Sequence, residues 1–280
     1  MKKIFLIIAS LIFTLALTFS FTGCSKGTPS DTIVVGASST PHAEILEAVR
    51  GELEDAGWKL KIVTYGDYVL PNTALNEGEL DANYFQHTPY LLNFNKEKKT
   101  KLVSAVKVHY EPFGVYGTSD VTKDDFLANK TGRTVYVPSD GTNCTRALLL
   151  LQDNGYITLK DGVSASDALT DKDIVQANGN KIVLVAAEQV PAQLRNASSG
   201  SLAVVNGNYA LASGLDIANA LAVESADGDA AQLYANVVAV KSGKENSEKT
   251  KALVKALTSK TAYDFIVSEY NGAVLPVFSV

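Results

Sequence analysis

The sequence predicts an α/β protein built as two lobes, and three observations carry that prediction. Short β-branched runs and segments of helical periodicity interleave along nearly the whole chain. The interleaving occurs as two successive series, the second beginning near residue 122. Length and composition agree: 280 residues, 46% hydrophobic and 20% charged, suit one large or two medium globular domains and argue against disorder.

The elements follow in order. Ile33 to Ser38 reads as a strand. Ile45, Leu46, Val49, Leu53 and Ala56 then share one helical face, opposite Glu44, Glu47, Arg50, Glu52 and Glu54. Pro41 suits a first helical turn and Gly57 a helix stop. Lys59 to Tyr65 alternates like a strand, completing a strand–helix–strand unit of the kind that builds parallel sheets. Helices are expected over 70–77, stopping at Gly78, and over 89–98, with strands at 102–108 and 113–116. The second series gives a short helix after 122, a strand Arg133 to Val137 and a helix over 143–153 ending at Gly155. Further strands are expected at Ile182 to Ala186, Leu202 to Asn206 and Ala235 to Val240, and helices over 190–198, 208–213, 246–258 and 261–270. By analogy with other two-lobed chains, such lobes close on a ligand by hinge motion.

The first 23 residues are a separate object. Lys2 and Lys3 precede an uncharged run from Ile4 to Gly23 that ends in small residues, the layout of a secretory signal. The run is also long enough to span a bilayer, so length alone leaves a permanent anchor open. Phe21-Thr22-Gly23-Cys24 resembles the lipobox of bacterial lipoproteins, which implies lipidation of Cys24 as the mature N-terminus, with acyl chains holding the protein at a membrane. Residues 25–31 then read as a flexible tether. The formal net charge is −5, and −7 without Lys2 and Lys3, which excludes a general nucleic-acid-binding surface.

Catalytic signatures are missing from the sequence. G-x-S-x-G, H-E-x-x-H, the Walker A pattern and G-x-G-x-x-G do not occur. His42, His87 and His109 lie far apart, so no metal site is expected, although a metal-uptake protein can gather dispersed histidines. Cys144 has no histidine base nearby in sequence and reads as a structural thiol. Two regions do suggest ligand binding. Tyr65, Tyr68, Tyr84, Phe85 and Tyr90 crowd five aromatics into 26 residues, against about two from the 8% average, which suits either a core or an aromatic-walled pocket. Pro138 to Arg146 joins a strand to a helix, where unpaired N–H groups, Asn143 and the forked Arg146 would suit a carboxylate; an ordinary capped turn reads equally well.

The chain resembles the methionine-binding lipoproteins of ABC importers, the NlpA/MetQ family. The resemblance rests on ordered blocks: Thr40-Pro41-His42-Ala43-Glu44-Ile45-Leu46, Asp67-Tyr68-Val69-Leu70-Pro71-Asn72, Leu80-Asp81-Ala82-Asn83-Tyr84-Phe85-Gln86-His87, Val137-Pro138-Ser139-Asp140, Arg146 to Leu151, Leu202 to Asn206, and Tyr234-Ala235-Asn236. It implies a two-lobed periplasmic-binding-protein fold of type II with ligand in the cleft. The divisions would be a signal peptide 1–23, a tether 24–31, one lobe from 32–112 plus 230–280, and another from 113–229. It also implies an extracytoplasmic, lipid-anchored monomer that binds L-methionine without a cofactor. The ligand would pass to a membrane permease driven by an ATPase. Tyr68, Phe85, His87 and Tyr90 would surround the thioether, and Asn143, Arg146, Asn206 and Asn236 would hold the zwitterion.

The chemistry fits independently, since a thioether gains from aromatic contacts and a zwitterion wants Arg donors and amide groups. Three positions depart from the family loop: Ser139, Gly141 and Thr145 stand where Asn, Pro and Gly are common. Thr145 is expected to add a side chain beside the carboxylate site. Other readings are a methionine-containing dipeptide or another amino acid on the same scaffold, a surface adhesion protein, and an extracytoplasmic enzyme. The enzyme would have Glu111, His87 or Asp140 as its acid or base.

Overall fold

The computed structural model describes residues 31–280 apart from 166 and 227. The signal segment, Cys24 and the start of the tether lie outside the described residues. The strands are β1 (Thr32–Ala37), β2 (Lys59–Thr64), β3 (Ala82–His87), β4 (Leu102–Tyr110), β5 (Gly114–Gly117), β6 (Thr134–Pro138), β7 (Thr158–Leu159), β8 (Ile174–Gln176), β9 (Lys181–Val185), β10 (Leu202–Val205), β11 (Ala222–Val223), β12 (Asn236–Lys241) and β13 (Leu275–Pro276). They form two main sheets, ordered β13-β4-β12-β3-β1-β2 and β11-β5-β10-β6-β9, with β7 and β8 paired apart. Two lobes result, joined by the chain between β4 and β5 and again between β11 and β12.

The strand–helix–strand units give parallel pairs, β1 with β2 and β3, and β6 with β9 and β10. Neither sheet is wholly parallel. β12 runs antiparallel between β3 and β4, and β5 antiparallel to β10, because each follows a crossing between lobes rather than a helical crossover. Each sheet carries an apolar cluster on both faces, which is why β1 and β10 are buried along their whole length.

The first helical face is buried as its period predicts, with Ile45, Leu46, Val49 and Leu53 no more than 1% exposed. The helix itself is broken: Glu44–Ala48 and Arg50–Asp55 meet at Val49, where φ −98° and ψ 5° leave the helical region. Gly57 and Gly78 follow their helices at φ +83° and +86°, conformations that suit glycine. Serines at 247 and 259 accept from the backbone N–H three residues on, fixing the starts of helices Glu248–Leu257 and Lys260–Glu269.

β3 carries no strand signal in the sequence. Ala82-Asn83-Tyr84-Phe85-Gln86-His87 has no β-branched residue, yet it lies in the middle of its sheet and is buried throughout. Its polar side chains are satisfied internally. Asn83 and Gln86 donate to Asn72 Oδ1 at 2.8 and 2.7 Å, and Asn72 donates back to Gln86 Oε1 at 2.8 Å. Among the described residues, no helix is long and apolar enough to cross a membrane.

Candidate functional site

The strand ends and helix starts of both lobes meet at one cavity, with about 320 Å³ of space between the atoms of its walls, part of it open to solvent. Phe85 and His87 reach it from β3, and Tyr90 from the first turn of helix Thr88–Lys98. Tyr68 comes from the turn before helix Leu70–Glu77. Asn143 and Arg146 come from the start of helix Gly141–Asp153, Asn206 from the end of β10 and Asn236 from the start of β12. All eight residues singled out from sequence therefore line the same space. It lies at the carboxyl ends of the parallel strands, where open α/β sheets hold ligands. Two wider grooves are open surface features of one lobe each.

One end of the cavity is aromatic. The Tyr68 ring centroid lies 5.8 Å from Phe85, 5.7 Å from Tyr90 and 4.9 Å from Tyr209. Hydrogen bonds close the lobes over this end. Tyr68 donates its hydroxyl proton to Asn208 Oδ1 at 2.5 Å, and Tyr209 donates to the Gly66 carbonyl at 3.1 Å. Burial holds both phenols well above their ordinary pKa, so they remain donors.

His87 is tied on both nitrogens. Its Nδ1 accepts from the Tyr90 backbone N–H at 3.2 Å, which caps the helix and leaves the proton on Nε2. That N–H donates to Asn143 Oδ1 at 3.1 Å. Burial and the Arg146 charge lower the His87 pKa to about 3, so the ring is neutral. Asn143 is equally committed: its Nδ2 donates to both carboxylate oxygens of Asp140, at 2.9 and 3.0 Å. Asp140 also caps the helix through the Asn143 backbone N–H at 3.0 Å. Asn143 thus lines the cavity with its amide already spent on the scaffold.

Arg146 forms the polar end. It is 3% exposed, and its guanidinium lies between the Phe113 and Tyr234 rings, 3.8 and 4.2 Å from their centroids. Its Nε and Nη2 donate to the two oxygens of Glu224 at 3.1 and 2.5 Å, and Nη2 also reaches the Glu111 carbonyl at 3.1 Å. Glu224 and Glu111 flank the two crossings between lobes, so the guanidinium is clamped to both connections. Nη1 takes part in none of these bonds. Glu224, Phe113 and Asn208 carry no local signal in the sequence; Asn208, for one, meets Tyr68 across 140 residues.

Three sequence expectations need revising. Thr145 does not face the cavity; its hydroxyl donates toward the Gly141 and Asp167 carbonyls at 2.7 and 2.8 Å and accepts from Leu169 N–H at 2.8 Å. It staples the helix to the 167–169 segment instead. The histidines do not stay scattered: His42 and His109 meet Glu111 in a buried group whose donor atoms lie within 4.8 Å of one another. Nor is Asn236 free to offer its oxygen, which lies 3.1 Å from His42 Nε2. Cys144 is fully buried in an apolar cluster, and burial pushes its thiol up to about 12, which keeps it protonated and inert.

Comparisons with known proteins agree along the chain. The family model of the NlpA lipoproteins matches residues 33–278. The methionine-binding lipoprotein MetQ of Bacillus subtilis is 39% identical, over 99% of this chain and 99% of its own. Among solved structures, a nutrient-binding protein from Burkholderia cenocepacia bound to methionine is 37% identical with a TM-score of 0.79, covering 88% of this chain and 100% of that one. An ABC transporter periplasmic substrate-binding protein from Coxiella burnetii is 34% identical with a TM-score of 0.77, covering 87% and 99%.

Proposed function

The chain belongs to the NlpA lipoprotein family, and from that premise we propose that it is the substrate-binding lipoprotein of an ABC amino-acid importer, with L-methionine as its ligand. The observation that carries the reading is the polarity of the cavity between the lobes: aromatic rings at one end, a forked guanidinium and amides at the other. A polarisable thioether gains about 0.3–1.5 kcal/mol from each good aromatic contact. An α-carboxylate fits the uncommitted Nη1 of Arg146. The relative of B. subtilis is named for methionine binding and the B. cenocepacia structure holds methionine, which supports the same ligand here.

The protein binds and releases without chemistry. His87, Asp140 and Glu111, the groups nominated as acid or base, are each held in hydrogen bonds that build the scaffold. The lobes are residues 32–112 with 230–280, and residues 113–229; their closure presents the loaded monomer to a permease and its ATPase. Mass spectrometry of the molecule released on denaturing gently purified protein tests the ligand. Free methionine is expected. A dipeptide or another amino acid would move the assignment within the scaffold, and a molecule lacking an amino-acid head group would overturn it.

Localisation follows the lipobox. Signal cleavage before Cys24 and acylation of its sulfur would hold the protein outside the cytoplasm on a short tether. Cys24→Ser is expected to move it from the membrane pellet to the soluble fraction on fractionation. Full retention in the pellet would point to an uncleaved anchor.

A further inference from the structure

Beneath the polar end of the cavity lies a buried hydrogen-bonded chain that the reading so far does not use. Glu111 lines the cavity and is 5% exposed; His42 and His109 behind it are fully buried. The Tyr84 hydroxyl bonds His109 Nδ1, and His109 Nε2 lies 2.7 Å from Glu111 Oε1. A buried phenol keeps its proton and donates it, so His109 Nδ1 accepts and Nε2 carries the N–H that Glu111 receives. His42 Nε2 stands 3.1 Å from Asn236 Oδ1 and 3.4 Å from the same Glu111 oxygen, so it too is a donor. A metal ion would need imidazole lone pairs where these N–H groups point, and the one His109 has is taken by Tyr84. The group is therefore a cradle for a carboxylate rather than a metal site.

The groups around that carboxylate set its charge. Both imidazoles are neutral, lowered by burial to about 4 in His42 and about 3 in His109. Arg146, the cation in the cavity wall, already forks onto Glu224. Burial raises the Glu111 carboxyl, opposed by His42, by the Arg146 charge and by the Asn208 backbone N–H, and a cation arriving in the cavity would favour its ionised form. Two further features face the same place. Asn206 Oδ1 is buried in the cavity wall with no hydrogen-bond partner. Gly207 beside it is bare where a Cβ would stand 2.7 Å from the Glu111 Cβ and 2.8 Å from its Oε2. The missing side chain lets the carboxylate lie against the 206–208 turn, next to an unused acceptor.

We propose that Glu111 is the ammonium-recognition residue of this site: the primary ammonium of the ligand docks between the Glu111 carboxylate and Asn206 Oδ1. His42 and His109 hold that carboxylate from behind. His42 also engages the oxygen of Asn236, which turns the NH2 end of that amide toward the ligand. The ligand carboxylate is then left to Arg146 Nη1 and Asn236 Nδ2. The assignment rests on the amino-acid reading above and narrows it, since a compound with the same tail and no amine should be refused.

The test is calorimetric titration of wild type, Glu111→Gln and Glu111→Asp with two probes, L-methionine and 4-(methylthio)butanoate, which lacks only the amine. Wild type is expected to prefer methionine by about 100-fold or more, because without the amine no cation reaches the buried carboxylate. Glu111→Gln keeps an oxygen for His109 and removes a buried charge, so it should fold. It should lose about 100-fold in methionine affinity and bind the amine-free probe as wild type does. Glu111→Asp retreats by one methylene but keeps the charge; a loss of about tenfold, for methionine alone, supports the same assignment and serves if the Gln variant is unstable. Methionine affinity within about threefold of wild type in a folded variant at 111 would overturn the proposal while leaving the amino-acid reading in place. Wild type that binds neither probe would remove that reading and the proposal with it.

Discussion

Arg146→Ala is expected to abolish ligand binding, with a loss of about 1,000-fold or more, and to destabilise the fold by about 3–5 kcal/mol. The first effect follows from Nη1, the donor left over after Nε and Nη2 engage Glu224 and the Glu111 carbonyl. The second follows from what Ala leaves behind. Glu224 becomes a nearly buried carboxylate whose other partners are the Tyr110 hydroxyl at 2.7 Å and the Phe113 N–H at 3.3 Å. The Phe113 and Tyr234 rings lose the plane between them. The two effects separate in the double variant Arg146→Ala/Glu224→Gln. It should recover much of the stability, because no charge is stranded, and none of the binding. Urea unfolding and calorimetry on the same samples read both. Binding within tenfold of wild type in Arg146→Ala would remove the guanidinium from the site.

Much of this architecture is legible in the sequence, and the illegible part has a physical cause. Ile33 to Ser38 and Leu202 to Asn206 announce themselves because strands buried on both faces are runs of apolar residues, and the helices because their apolar face repeats. β3 hides because it is buried with amides and aromatics, made tolerable by the Asn72, Asn83 and Gln86 network. No local pattern announces that network. In the cavity, Tyr68, Phe85, His87 and Tyr90 are close in sequence and could be read as a cluster. Glu224 meets Arg146 across 78 residues and His42 meets Asn236 across 194. Such pairings are fixed by how the sheets stack, which periodicity does not encode. The same blindness made Thr145 look like a site residue when its hydroxyl serves the 167–169 segment.

Acid should unfold the protein well before its surface carboxylates are protonated, because its three histidines are buried and neutral. His42 is lowered by burial to about 4, His87 by burial and Arg146 to about 3, and His109 by burial to about 3. In the unfolded chain each titrates near the ordinary 6.5, so below that value the unfolded state binds protons that the native state refuses. The stability these rings contribute is therefore present above about pH 6.5 and is lost as pH falls toward the folded values, at about 1.4 kcal/mol per pH unit for each ring once the unfolded imidazole is charged. Two carboxyls act against this. Burial raises Glu111 and Asp140, so the native state takes up protons before the unfolded state does, and their share grows as pH falls through the raised values. Three refusals outnumber two uptakes, and the refusals begin at higher pH. The urea midpoint is expected to drop clearly between about pH 7.5 and about pH 5.5, where three rings at that slope amount to several kcal/mol at most. Saturating ligand should raise the midpoint throughout, since it binds the native state alone. A midpoint that stays level over that interval would mean that the rings titrate normally in the folded protein and that the chain from Tyr84 to Glu111 is not held as drawn.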